Sequence, residues 1–180
     1  YLVEIGFKII DTAIDFCVDW TNDELETIFD QIKKSYEFYI TRIDEYGMER
    51  FHWSFIDELK NSVKEKKKFY SCGAGIVSLY VKINGDFYAC PSCFDSRMKL
   101  GNIYTGYDIE KINFLKKVDT LNNKCNSCKL FSVCGAKGCL VLNLSSNNDM
   151  SIPNYALCSI EKFMYNFYQS KYSHTEVQHD

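Results

Sequence analysis

The chain has 180 residues, 46% of them apolar, and a formal net charge of −3. That length supports one substantial core or two small units, and the mild acidity disfavours nucleic acid, whose phosphates favour a basic domain. No apolar run approaches the ~18–20 residues of a membrane span and no signal peptide opens the chain, so a cytoplasmic protein without a membrane partner is expected.

Tyr1-Leu2-Val3-Glu4-Ile5 followed by Gly6 reads as a helix end with glycine just past it. The chain thus starts inside an element and is expected to be a piece of a longer polypeptide. Phe7 to Ile14 is apolar and β-branched, and predicts a buried strand. Cys17, alone beyond it, reads as a buried thiol. Thr21-Asn22-Asp23-Glu24 has the form of a capping box, a hydroxyl followed three residues later by Glu. Leu25, Ile28, Phe29, Ile32, Tyr36, Tyr39, Ile40 and Ile43 then recur at helical spacing, up to Gly47. A second helix is expected over about Trp53 to Val63, with Phe55, Ile56 and Leu59 inward. His52 reads as a surface or packing residue, because no second ligating residue lies at helical spacing beside it.

Lys64 to Lys68 is a solvated charged run, and the domain boundary falls there. Val77 to Ile83 alternates as a half-buried strand does, Asn84-Gly85 follows, and Phe87-Tyr88-Ala89 returns. Asn-Gly between such runs predicts a hairpin with positive φ at both turn residues. The ribbon brings Cys72 and Cys90 back to the same end. Asp108 is expected to cap a helix carrying Ile109, Ile112, Leu115 and Val118. Ser145 to Asp149 reads as a polar loop. Asn154 then caps a last helix with Leu157, Ile160, Phe163, Met164 and Phe167 on one face, and Cys158 in its first turn. The tail from Ser170, with His174 and His179, has no periodicity and is expected to be disordered.

Nine cysteines in a chain without an export signal are the main chemical feature. Eight of them fall between residues 72 and 158, and four make the run Cys125-x2-Cys128-x5-Cys134-x4-Cys139. Disulfides are rare in a reducing compartment, where such clusters more often hold metal. Thiolates are soft anionic ligands that suit tetrahedral Zn²⁺ or an iron–sulfur cube. Zinc knuckles come as two close pairs, whereas Cys72 and Cys158 are isolated and the x5 gap is too long for a second knuckle half. Eight thiols divided four and four make two full cluster sites.

The order Cys72-x12-Gly85-x4-Cys90, then Cys125-x2-Cys128-x5-Cys134-x4-Cys139, then Cys158 resembles the SPASM domain. That domain is the C-terminal auxiliary-cluster region of radical S-adenosylmethionine (SAM) enzymes that modify peptides and proteins, among them anaerobic sulfatase maturases and thioether-forming peptide maturases. The resemblance implies an α+β fold: residues 1–63 as the helical end of a radical SAM partial barrel, 64–71 as linker, 72–168 as a small SPASM domain (a β-hairpin plus helices around metal clusters), and 169–180 as tail. It also implies two auxiliary 4Fe–4S clusters. Cys72, Cys90 and Cys139 would hold the first, its fourth position either taken by Cys93 or left open to a substrate thiolate. Cys125, Cys128, Cys134 and Cys158 would hold the second. Expected partners are a peptide or protein substrate and an electron donor or acceptor protein.

The sequence departs from the family in three places. Four residues separate Cys134 from Cys139 where three are usual, Cys93 is an extra thiol, and Pro91 follows Cys90 where sulfatase maturases carry an Asp proposed as base. The last departure favours a different peptide-modifying reaction. The SAM-cleaving motif Cys-x3-Cys-x2-Cys is not in these residues, so no catalytic residue is identified. SAM and a third cluster would belong to a longer parent. Rival readings are a zinc-stabilised interaction module and a free-standing iron–sulfur electron carrier.

Overall fold

A computed structural model describes residues 1–16, 18–46, 52–56, 72–118, 121, 123–136 and 139–172. Cys17, Gly47, the second helix beyond residue 56, the charged run at 64–68 and the histidines of the tail lie outside the described residues. The chain divides into two compact units: Tyr1–Lys66 with Ala156–Asp180, and Lys67–Tyr155.

In the first unit, residues 2–6 form turns closed by Gly6 N–H donating to Val3 O (3.0 Å) and Phe7 N–H to Leu2 O (3.1 Å). This is the bond pair of a glycine-capped helix end. The strand expected over Phe7 to Ile14 is much shorter: β1 is Ile9–Ile10, paired in parallel with β2, His52–Trp53. It is not buried either, since Ile9 is 67% exposed. A two-residue ladder with one partner covers little of an apolar strand.

Helix α1, Asn22–Tyr46, begins at the capping box foreseen from sequence. Glu24 accepts from Thr21 N–H (2.8 Å), and Thr21 Oγ1 accepts from Glu24 N–H (3.3 Å). The Thr21 N–H and the Thr21 hydroxyl, which also donates to Glu24 Oε2 (2.7 Å), hold the Glu24 carboxyl below its ordinary pKa. The apolar stripe of α1 packs with the last helix, called α5 below (Tyr155–Tyr172), around Leu25, Ile32, Tyr36 and Tyr39. Phe29 stacks on Phe163 with ring centroids 4.3 Å apart, and Tyr36 meets Phe167 edge-on at 5.1 Å. The Tyr36 and Tyr172 hydroxyls share a 2.6 Å hydrogen bond. Helix α5 therefore continues past Ser170, and from Ala156 it belongs to the first unit, whereas the sequence reading carried the second domain to residue 168.

The second unit holds a four-stranded antiparallel sheet in the order β3-β4-β5-β6: Tyr80–Val81, Asp86–Tyr88, Lys99–Asn102 and Gly106–Tyr107. The hairpin expected at Asn84-Gly85 is present with Tyr80 opposite Tyr88, but its turn differs. Gly85 N–H donates to Lys82 O (2.8 Å) and Lys82 N–H to Asp86 O (2.9 Å), and only Gly85 takes positive φ (82°). This three-residue loop ends in a left-handed glycine. The first strand is also shorter than expected, with Val77 80% exposed. The hairpin β5–β6 was not foreseen at all.

Helix α2, Ile109–Leu115, is capped by Asp108, whose carboxylate accepts from Lys111 N–H (3.0 Å). Leu115 and Val118 are buried, but Ile109 faces solvent. After the short helix α3 (Asn123–Asn126), helix α4 spans Leu140–Asn147, so the loop expected from Ser145 is helical for its first three residues. Asn148 ends it at φ 55°. The core of this unit gathers Tyr88, Ala89, Met98, Leu100, Leu115, Val118, Leu140, Leu144 and Met150.

Candidate metal centre

Four of the predicted ligands hang on the sheet and helices of the second unit. Cys90 follows β4, and Cys93 lies across a tight turn from it, its N–H donating to Cys90 O (3.4 Å) in an isolated antiparallel bridge. Both are partly buried against the core. Cys139 is the residue from which α4 starts, and Asn143 N–H donates to its carbonyl (3.0 Å). Cys72 is exposed and opens the segment leading to β3.

Three of these thiols interact. Burial pushes the Cys139 thiol above its ordinary pKa, and the nearby Cys72 and Cys90 thiols raise it further, while N–H groups of Leu142 and Val141 pull it down. Two thiolates repel, so each such effect marks sulfurs that share one neighbourhood. The groups acting on the Cys139 thiol thus come from three separate parts of the chain.

Near Cys93 lies an arginine–aspartate pair that sequence reasoning missed. Arg97 makes a two-pronged pair with Asp95, Nε to Oδ1 at 2.8 Å and Nη2 to Oδ2 at 2.7 Å. A third bond runs from Nη1 to Asn148 O (2.9 Å), tying the cysteine loop to the end of α4. The pair holds the Asp95 carboxyl well below the usual range and the guanidinium above its own, and Cys93 and Asp149 add to the latter. The Asp-x-Arg spacing was the available signal.

The second predicted group is built from successive turns. Cys128 N–H donates to Cys125 O (2.9 Å), Phe131 N–H to Cys128 O (2.9 Å) and Cys134 N–H to Leu130 O (2.8 Å). Leu130 and Ala136 anchor this coil by burial. Cys158 is on α5, in the first unit, and is partly buried.

None of the eight described cysteines is in a disulfide. Among the described residues no group of three or more His, Cys, Asp or Glu side chains closes tightly enough to hold a single metal ion. Sulfurs around one tetrahedral zinc stand about 4 Å apart, from Zn–S bonds of ~2.3 Å, whereas a cube binds each thiolate through a different iron and spreads them wider. A soft, all-sulfur donor set suits zinc or a cube alike. A separate cavity of about 440 Å³ in the first unit, between Leu2, Ile10, Phe38 and Trp53, has no cysteine in its lining.

These features define a mixed helix-and-sheet protein with a cysteine-rich second unit. No protein-family model matches the chain, and no curated protein matches it. Solved structures of the anaerobic sulfatase-maturating enzyme anSMEcpe do. The native form with bound AdoMet matches with a TM-score of 0.58 and 16% identity, over 95% of this chain and 50% of that one. The hexahistidine-tagged form with AdoMet gives 0.61 and 17%, over 95% and 48%. The native form with AdoMet and the Kp18Cys peptide gives 0.54 and 18%, over 95% and 50%. At these identities the likeness is one of fold, and the chain spans about half the length of the structures it matches. No helix among the described residues is long and apolar enough to cross a membrane.

Proposed function

We propose that the chain is the auxiliary-cluster part of a radical SAM enzyme that modifies a peptide or protein. The observation that carries this reading is that Cys139, at the start of α4, feels the thiols of Cys72 and Cys90 from two other segments of the chain. These three are assigned to a first 4Fe–4S cluster, with Cys93, held beside Cys90 by the turn, as its fourth ligand. Cys125, Cys128 and Cys134 are assigned to a second cluster. Cys158 is joined to them on the sequence resemblance alone. The fold likeness to a radical SAM maturase, one of whose structures contains a peptide, supports the same reading.

A bound cube supplies a one-electron acceptor or donor whose potential depends on burial and on hydrogen bonds to its sulfurs. The residues of the chain set both. Packing of Cys90 and Cys93 against the apolar core limits water at the thiolates. The Arg97 charge near Cys93 favours the extra electron of a reduced state. N–H groups in the first turn of α4 point toward Cys139. SAM cleavage, the peptide substrate and the electron partner belong to the whole enzyme. The assignment is tested by anaerobic reconstitution with iron and sulfide. About eight irons per chain are expected, as two cubes with four thiolates each. Uptake of about one zinc and no iron would replace this reading with the zinc-stabilised module.

A further inference from the structure

The segment that begins at Cys72 also builds one wall of a cavity of about 460 Å³ in the second unit. That wall is Gly75 to Leu79, and the cavity is completed by Tyr107 of β6 and by Ile112 and Lys116 at the end of α2. We propose that this groove binds an extended peptide carrying an acidic side chain next to large apolar ones. The proposal rests on the reading above for the claim that the ligand is a peptide, and adds where it docks and what chemistry it has.

Four observations carry it. The wall is preorganised: Gly75 N–H donates to Ser78 O (2.7 Å), and Ile76 and Val77 N–H both donate to Gly73 O (2.9 Å each). It presents apolar surface to solvent, with Val77 80% and Tyr107 54% exposed, and such surface in a concave site favours an apolar ligand group. Lys116 is exposed and is the one charged residue in the lining among the described residues, so the groove carries a positive charge. Finally, β6 is an edge strand, and no described strand pairs with its outer side. An extended backbone can add there, with alternate side chains entering the groove. Because the wall starts three residues after Cys72, a peptide in the groove lies along the segment that carries a ligand of the first cluster.

The test selects short random-sequence peptides against the full chain, reconstituted anaerobically, and repeats the selection with Lys116→Glu and Val77→Ser. Both positions are exposed, so neither change threatens folding. Peptides with Asp or Glu beside aliphatic or aromatic residues are expected to be enriched, and to bind Lys116→Glu roughly tenfold more weakly. Peptides selected on Lys116→Glu should carry Lys or Arg at the matching position, and Val77→Ser should relax the apolar preference. The proposal is overturned by a selection with no acidic enrichment, by the same profile from Lys116→Glu, or by free glutamate competing as well as the peptide does. Iron content of each preparation is read separately. Charge-dependent binding without iron would sink the cluster assignment and keep the groove, and iron without charge-dependent binding would do the reverse.

Discussion

Cys139 and Cys72 are remote in sequence, yet after burial itself the Cys72 thiol is among the groups that raise the Cys139 pKa. A like charge nearby raises a thiol's pKa, and a positively charged metal centre would lower it. In the assignment proposed above, the two cysteines are ligands of one centre.

Removing either sulfur should cost one cluster and leave the second. Cys139→Ser and Cys72→Ser are each expected to bring reconstituted iron from about eight to about four per chain. Cys93→Ser separates two versions of the first site. A closed site loses iron or lowers its occupancy, whereas an open one keeps its iron. Iron and sulfide assays with Mössbauer spectra read all three variants, and full iron in Cys139→Ser would remove that residue from the ligand set.

The elements legible in the sequence were those whose signals are local. Thr21 and Glu24 meet within one turn, and Asp108 caps the residues just after it, so spacing alone identifies both. The stripe on α1 was readable because a long helix repeats its period many times. Hairpin β5–β6 gave no such repeat: its strands are four and two residues long, and β6 is exposed on both residues. Ser145 and Ser146 looked like a loop because they occupy the exposed last turn of α4, where polarity follows from exposure and not from lack of helix. At the metal centre, cysteine spacing nominated the residues, but only the fold shows which thiols feel each other and that Arg97 stands near Cys93.

Asn143 is fully buried and serves two backbone groups at once. Its Nδ2 donates to Met150 O (2.9 Å), and its Oδ1 accepts from Asn154 N–H (3.1 Å). Asn143→Leu keeps the branched side-chain skeleton but leaves a carbonyl and an N–H buried without those partners. At about 1–3 kcal/mol for each stranded group, a loss of about 2–6 kcal/mol is expected. Urea unfolding of the full chain measures it, against Ser145→Ala on the exposed face, where a change below about 0.5 kcal/mol is expected.

Asp86 links β4 to β5. Its carboxylate accepts from Asn102 Nδ2 (2.8 Å) and pairs with Lys99 Nζ (2.6 Å). The Lys99 and Asn102 bonds, in that order, lower its pKa from 3.8 to about 2. The folded carboxyl therefore binds its proton less readily than the unfolded one, so unfolding takes up a proton between these values. The contribution is fully present above pH 3.8 and disappears as pH falls through about 2. Melting temperatures recorded across this window should fall more steeply for the wild type than for Asp86→Asn. Parallel curves would show that the carboxylate adds nothing beyond its shape.

Gly75 tests whether the wall beside Cys72 must keep its present course. Its φ is +77°, which side chains with a Cβ rarely adopt, and an added Cβ would lie 2.9 Å from Ala89 Cβ and Leu100 Cδ1 and 3.0 Å from Leu115 Cδ1. Ala89, Leu100 and Leu115 are all buried in the core, so they have little room to yield. The wall itself must move. Gly75→Ala should therefore destabilise the chain by about 1–3 kcal/mol through overpacking, with backbone strain added. Displacement of the wall also shifts Cys72, so this variant should lose iron from the first cluster faster under chelator than the wild type does, at equal initial loading. A Cβ added at the exposed, positive-φ Gly6 in the first unit would meet nothing within 4 Å, and Gly6→Ala supplies the control. It carries the conformational strain without the collision, and its iron should be released at the wild-type rate. Equal release from Gly75→Ala and the wild type would mean that Cys72 is held independently of the wall, or holds no iron.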